Sequence, residues 1–168
     1  STTEVYGTEK SAVAERTYLK PATLKGRWMA QQEDMVDKYR KNEGLFAVVL
    51  RLGQVFFNEI SADTDNYFAG LRNDIMQEKA IVNESIQPIH VSDVADAVVR
   101  LIDKRWEGVY NICGSAVLQK GDIAKQIADK EKLEKEPVIE EVSYHVNVDN
   151  DKIKKAVGWT DFWNMEEL

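Results

Sequence analysis

Cysteine is almost absent from this chain of 168 residues: Cys113 stands alone, so no intrachain disulfide can form. A single cysteine suits a reducing compartment and gives the expectation of a cytoplasmic protein. At what reads as a strand end, it is a small buried apolar residue rather than a reactive thiol. Histidine is nearly as scarce, and neither His90 nor His145 has a nearby cysteine or paired histidine, so no metal site is expected. No apolar run approaches the ~18 residues of a membrane span, and nothing at the start resembles a signal peptide. Internal repeats and low-complexity linkers are missing too.

An excess of positive charge is also lacking. With 22 Lys and Arg against 29 Asp and Glu, the formal charge is −7, which would repel nucleic acid or an anionic membrane surface. A small anionic ligand would need a local site of backbone N–H groups and a few cations.

What is present fits one α/β unit spanning 1–168, since 43% apolar residues in a chain of this length can build one core. Residues 1–23 read as a loop with a short strand at its start. Trp28, Met35, Val36 and Tyr39 recur at helical spacing and predict an amphipathic helix over 25–41, ending near Gly44. "LFAVVLRLG" (45–53) has no polar face, so it predicts a strand flanked on both sides in a parallel sheet. A second helix is expected over 65–79, with Phe68, Leu71 and Ile75 on one stripe. "AIVNES" and "QPIHV" read as short extended pieces.

Ser92 and Asp93 stand where an N-cap is expected, ahead of an apolar stripe from Val94 to Ile102. "GVYNICG" reads as a strand, 119–132 as a helix, and "PVIEEVS" as extended. In "DNDKIKKAVGW", Asp149 or Asn150 caps a last helix that stops at Gly158. Strand and helix alternate throughout, which favours a parallel α/β sheet.

The ordered pieces "STTEVYG", "TLKGRWMAQQE", "VVLRLGQVF", "QPIHVSDVADAVVRLI", "GVYNICG" and "VNVDNDKIKKAVGW" resemble the extended short-chain dehydrogenase/reductase family. Within it they are most similar to sugar-nucleotide reductases of the dTDP-4-dehydrorhamnose reductase type. The resemblance implies the C-terminal part of a Rossmann-type parallel sheet with flanking helices, plus the small substrate-binding subdomain. It covers roughly the last three fifths of a family member. The N-terminal half, whose glycine-rich turn holds the dinucleotide pyrophosphate, has no counterpart here: neither G-x-x-G-x-x-G nor G-x-G-x-x-G occurs. Together with the absent initiator methionine, this favours a fragment over a naturally short product. NAD or NADP is then the cofactor implied for the full-length protein, and this chain alone is not expected to bind it.

The family transfers a proton through a Ser or Thr and a Tyr-x-x-x-Lys pair while nicotinamide transfers a hydride. A lysine ammonium near the phenol lowers its pKa toward neutrality, and four-residue spacing puts both on one helical face. "STTEVYG" places Thr2 at the catalytic hydroxyl. Glu4 falls where the dehydratase branch keeps an acid, whereas Thr3 stands in place of that branch's Asp. Thr2 and Glu4 read equally well as loop residues capping a turn. "KGRWMAQQE" places Lys25 at the tyrosine and Met29 at the lysine, so the relay is expected to be broken. Met29 is expected to pack against the sheet or a partner helix.

The literal Tyr6-x-x-x-Lys10 is a decoy, because Gly7 follows the tyrosine and no helical period accompanies it. Leu52, Gly53 and Gln54 match the family's segment beneath the nicotinamide, and read otherwise as a plain strand-to-loop junction. Arg51 is expected to form a structural ion pair, His90 to serve a helix start, and the terminal "MEEL" to be a solvated end.

Two functional readings follow from the resemblance. One is part of an NAD(P)-dependent sugar-nucleotide reductase or epimerase, binding a nucleoside diphosphate sugar between the sheet's C-terminal edge and the helices of 65–104. The other is a non-catalytic binding or regulatory module that keeps the fold and dimer interface. Lys25 and Met29 favour the second, and the overall pattern favours the first. The strand of 45–53 would lack a neighbour on one side, which predicts a homo-oligomer that buries that edge or the helix of 25–41.

Overall fold

The computed structural model describes residues 1–8, 12–57, 66–142 and 146–162. Lys10, His145, the first residue of the expected 65–79 helix, Ser143 and the "MEEL" end lie outside the described residues.

Two strands form the spine. β2 (Val48–Leu52) pairs in parallel with β7 (Gly108–Ile112), from Val48 against Gly108 to Leu52 against Ile112. At its far end β2 also meets Thr2 in a single parallel bridge, and Leu52 N–H donates to the Ser1 carbonyl. The short strand expected at the start is therefore one bridge long.

Alternation along β2 sorts the helices onto two faces. Val48, Leu50 and Leu52 pack with α3 (Val91–Asp103), α5 (Asp151–Val157) and Trp159 around a core of Ile89, Ala97, Leu101, Tyr110, Ile112, Ile153 and Val157. Val49 and Arg51 face α1 (Leu24–Glu43) across a crevice lined by Ala30, Glu33, Val36 and Asp37. β2 is less buried than an all-apolar run suggests. Four of its five residues are half-buried, and the buried one is Arg51. Among the described residues only β7 runs the length of β2, which accounts for the difference.

The outer edge of β7 is closed by side chains. Lys152 donates to Val109 O, Glu15 accepts from Asn111 N, and Asn150 donates to Cys113 O. Each satisfies a ladder group that a further strand would otherwise take.

A second core gathers Phe56, Phe68, Leu71, Ile75, Ile81, Ile86, Ile123 and Ala124. It is built from β3 (Val55–Phe56), α2 (Tyr67–Met76), β4 (Ala80–Asn83), β5 (Ser85–Ile86) and α4 (Lys120–Glu131). β4 pairs in parallel with β9 (Val138–Glu141), β5 antiparallel with β8 (Leu118–Gln119), and β3 in parallel with β6 (Ile89–His90). A third cluster joins Val5, Tyr6, Val13, Cys113 and Val148, where β1 (Ala12–Val13) pairs in parallel with β10 (Asn147–Val148).

Helix ends follow local chemistry. Thr23 Oγ1 accepts from Gly26 N at 2.9 Å to start α1, and Gly44 closes it at φ 67°. Gly158, at φ 66°, ends α5. One expected cap is corrected, and at α5 the two candidates share the task. The imidazole of His90 caps α3 rather than Ser92 or Asp93, its Nδ1 accepting from Ser92 N at 3.3 Å. At α5, Asn150 holds the cap position, but Asp149 Oδ1 accepts from Asp151 N at 2.7 Å while the Asn150 amide turns to Cys113.

Candidate functional site

The site grows from a short 3-10 helix, Thr3–Tyr6, where a loop was expected. Thr2 Oγ1 caps it by accepting from Glu4 N at 3.3 Å. Gly7 then turns the chain at φ 74°, in the left-handed region glycine favours, and a Cβ there would lie 2.0 Å from Lys20 O. The chain returns to Thr23 and enters α1. Gly26 lets that helix lie directly on the 3-10 segment, since a Cβ there would sit 2.8 Å from Glu4 O.

This contact brings Glu4 to the first turn of α1. Its Oε1 accepts from Lys25 Nζ at 2.7 Å, and its Oε2 from Thr23 Oγ1 at 2.9 Å. The Lys25 side chain is 63% exposed. Met29, one turn on, packs inward against the cluster of Val5, Tyr6, Val13, Cys113 and Val148. Position 25 thus carries an amine paired with a carboxylate, and position 29 a thioether with no charge to offer.

One further turn along, Glu33 and Arg51 form the most buried ion pair of the region, 8% and 5% exposed. Arg51 Nε lies 3.0 Å from Oε1 of Glu33 and its NH2 nitrogen 2.6 Å from Oε2, a two-pronged contact. The same guanidinium donates to Tyr6 Oη at 2.8 Å, and Tyr6 donates to Asn111 Oδ1 at 2.6 Å. Ser1 Oγ also donates to Glu33. Burial pushes the Tyr6 phenol up, against the opposing pull of Arg51. Tyr6 is thus held in a buried hydrogen-bond network.

Of the three strand-end residues, Leu52 turns to the core beneath β2. Gly53 serves a close approach, because a Cβ would stand 2.4 Å from Gln87 O. Gln54 accepts from Gln87 N through Oε1 at 3.0 Å and lines a small pocket of about 110 Å³ with Thr3, Glu4, Thr23, Glu84 and Ser85. The structure therefore gathers Glu4 and Gln54 at one cavity, while Thr2, Lys25, Met29, Leu52 and Gly53 are not among its lining residues.

Gln87 passed unnoticed in the sequence. Its buried amide makes both ladder bonds to Val148, accepting from N at 2.6 Å and donating to O at 3.0 Å. Thr23 and Glu33 were also missed. Thr23 was legible as an N-cap three residues ahead of Gly26, whereas the Glu33–Arg51 pairing has no local signature.

A dinucleotide pyrophosphate needs free N–H groups at a glycine-rich helix start. At each described helix start one N–H is taken by a side chain. α1, α2 and α3 are capped by Thr23, Asn66 and His90, Asn83 Oδ1 accepts from Gly121 N in α4, and Asp149 takes the first N–H of α5. Among the described residues no three His, Cys, Asp or Glu side chains gather as a metal site, and no helix is long and apolar enough to cross a membrane.

Parallel strands with helices on both faces, and a second core beside the strand ends, define a Rossmann-like α/β protein. Residues 1–113 match the NAD dependent epimerase/dehydratase family, and the chain belongs to that family. Comparison with curated proteins finds no match. Among solved structures, UDP-glucuronic acid 4-epimerase from Bacillus cereus in complex with NAD superposes with a TM-score of 0.81 at 20% identity, covering 99% of this chain and 56% of that one. RMD from Pseudomonas aeruginosa complexed with NADPH gives 0.78 at 17% identity, covering 99% and 61%. DesIV, a dTDP-glucose 4,6-dehydratase from Streptomyces venezuelae with NAD and TYD bound, gives 0.78 at 14% identity, covering 99% and 55%. The chain thus spans little more than half the length of these structures.

Proposed function

We propose that this chain is the C-terminal part of a nucleotide-sugar-recognising member of its family in which the Tyr–Lys proton relay has been replaced, so that the chain does not itself catalyse. The observation that carries this reading is the 2.7 Å contact of Lys25 with Glu4, with Met29 turned into the core. A paired, exposed amine cannot take the part of a phenol whose pKa is lowered by a neighbouring cation. Thr2 and Glu4 keep the place of the family's hydroxyl and acid, and Gln54 keeps its place in the strand-end segment beneath the nicotinamide. NAD or NADP would be held by a glycine-rich half outside these residues, since neither G-x-x-G-x-x-G nor G-x-G-x-x-G occurs here.

The substrate class rests on the structural neighbours, among them UDP-glucuronic acid 4-epimerase and dTDP-glucose 4,6-dehydratase. The motif order favours the dTDP-4-dehydrorhamnose reductase type within that class. We read the chain as one folding unit, and its single buried Cys113 suits the cytoplasm. The test is calorimetric titration of the protein with UDP- and dTDP-sugars, alongside analysis of each sugar after incubation with NAD(H) or NADP(H). Binding without conversion supports the reading. Conversion of a sugar overturns it.

A homo-oligomer is supported by the outer face of α1. Leu24, Trp28, Met35 and Tyr39 are each more than half exposed and form one stripe. Leu24 and Tyr39 lie equally far from the Gln31–Gln32 midpoint, as do Trp28 and Met35. A two-fold axis through that midpoint sets the stripe against its own copy, as an isologous interface requires. Sedimentation should give a dimer that Trp28→Glu with Met35→Glu converts to monomer. A wild-type monomer would contradict this.

A further inference from the structure

The charged residues lining the pocket of about 110 Å³ are Glu4 and Glu84, and among the described residues no Lys, Arg or His lines it. Glu4 is fully engaged by Lys25 and Thr23. Glu84 is not. Its Oε1 accepts from Lys120 at 3.4 Å, a long contact from the start of α4, and its Oε2 has no partner among the described residues. The backbone of Glu84 is pinned between β4 and β5, its N–H donating to Val82 O at 2.9 Å and its carbonyl accepting from Lys120 N at 3.0 Å. Gln54 brings the opposite polarity to the same cavity. Its Oε1 is taken by Gln87 N, which leaves the Nε2 hydrogens with no partner among the described residues.

We propose that Glu84 selects the sugar: it accepts a hydrogen bond from a hydroxyl of a neutral hexose and turns away a hexuronate. The inference rests on the nucleotide-sugar reading given above and sharpens it. A sugar hydroxyl both donates and accepts, so one can give its proton to Glu84 Oε2 while another accepts from Gln54 Nε2. A hydrogen bond to an ionised acceptor is the stronger kind. A carboxylate in place of the hydroxymethyl group has no proton to give and meets a like charge. It would need an ammonium or guanidinium group at the cavity wall. Lys25 and Lys120 do not supply one, because neither lines the cavity and each is already held by a glutamate.

The experiment titrates the whole chain calorimetrically with UDP-glucose and UDP-glucuronic acid, and with the same pair of sugars on dTDP. Within each pair the ligands share a nucleotide and differ only at the sugar's sixth carbon. The wild type should bind the glucose member at least about threefold more tightly, the effect of two like unit charges roughly 6 Å apart in water. That ratio should shrink at high salt, whereas the shared diphosphate cancels from it. Glu84→Gln keeps an acceptor and removes the charge, so the ratio should fall toward one, chiefly through tighter binding of the uronate. The salt dependence is read on the wild type alone, so the test does not hinge on the variant folding. Equal affinities in the wild type, a preference for the uronate, a ratio insensitive to salt, or a ratio that Glu84→Gln leaves unchanged overturns the role of Glu84 while nucleotide-sugar recognition stands. Binding of none of the four compounds removes that recognition, and the role of Glu84 with it.

Discussion

Lys25 Nζ lies 2.7 Å from Glu4 Oε1, joining the first turn of α1 to the 3-10 segment twenty-one residues earlier. The lysine is mostly exposed, so the pair is screened by water and worth little to stability. Lys25→Ala should shift the unfolding free energy by no more than about 1 kcal/mol, measured by urea denaturation. Met29→Ala should cost more, about 2 kcal/mol, because the thioether packs against Val5 and Tyr6. The reverse ranking would mean that the amine is structural and the thioether is not.

The Glu33–Arg51 pair is the opposite case. Both side chains are nearly excluded from water, and Arg51 also donates to Tyr6. Replacing Arg51 by Met should strand the Glu33 charge and cost about 3–5 kcal/mol, whereas replacing both by Leu and Met should cost less. A denaturant series on the two variants checks this. Equal costs would show that the carboxylate finds another partner.

Cys113 offers a pH test. Burial, aided by Asp161, pushes its thiol up to about 12 from an ordinary value near 9. Between those values the unfolded chain releases the proton and the folded chain keeps it, so folding stability should fall as pH rises from about 9 toward 12. Below about 9 the thiol is protonated in both states and contributes no slope. Comparing this slope with that of Cys113→Ala isolates the effect, and equal slopes would argue that the thiol ionises in place. Native Cys113 should also resist alkylation that proceeds readily in the unfolded protein.

How far the sequence was legible depends on how local each signal is. α1 ends at Gly44 and α5 at Gly158 as expected, because a left-handed glycine is a one-residue signal. β2 and β7 were recognisable as strands from composition. The pairing of Ala80–Asn83 with Val138–Glu141 joins segments over fifty residues apart and leaves no periodic trace. His90 was expected at the start of α3, but the cap itself was placed on Ser92 or Asp93 because Ser and Asp dominate the usual preference, whereas the imidazole accepts from Ser92 N. At the site, Lys25 and Met29 were placed by motif alignment, whereas Glu33, Tyr6 and Gln87 meet their partners only through the fold.

The central claim is that the two working positions of the family's catalytic helix are held by Lys25 and Met29. It is tested most directly by the initial rate of NAD(P)H-dependent conversion of a nucleoside diphosphate sugar, in a cofactor-binding form of the protein, wild type against Lys25→Tyr with Met29→Lys. The wild type should stay at background while binding the sugar, and the double variant should rise above it. Turnover by the wild type, or a double variant that binds both ligands and stays at background, would contradict the account.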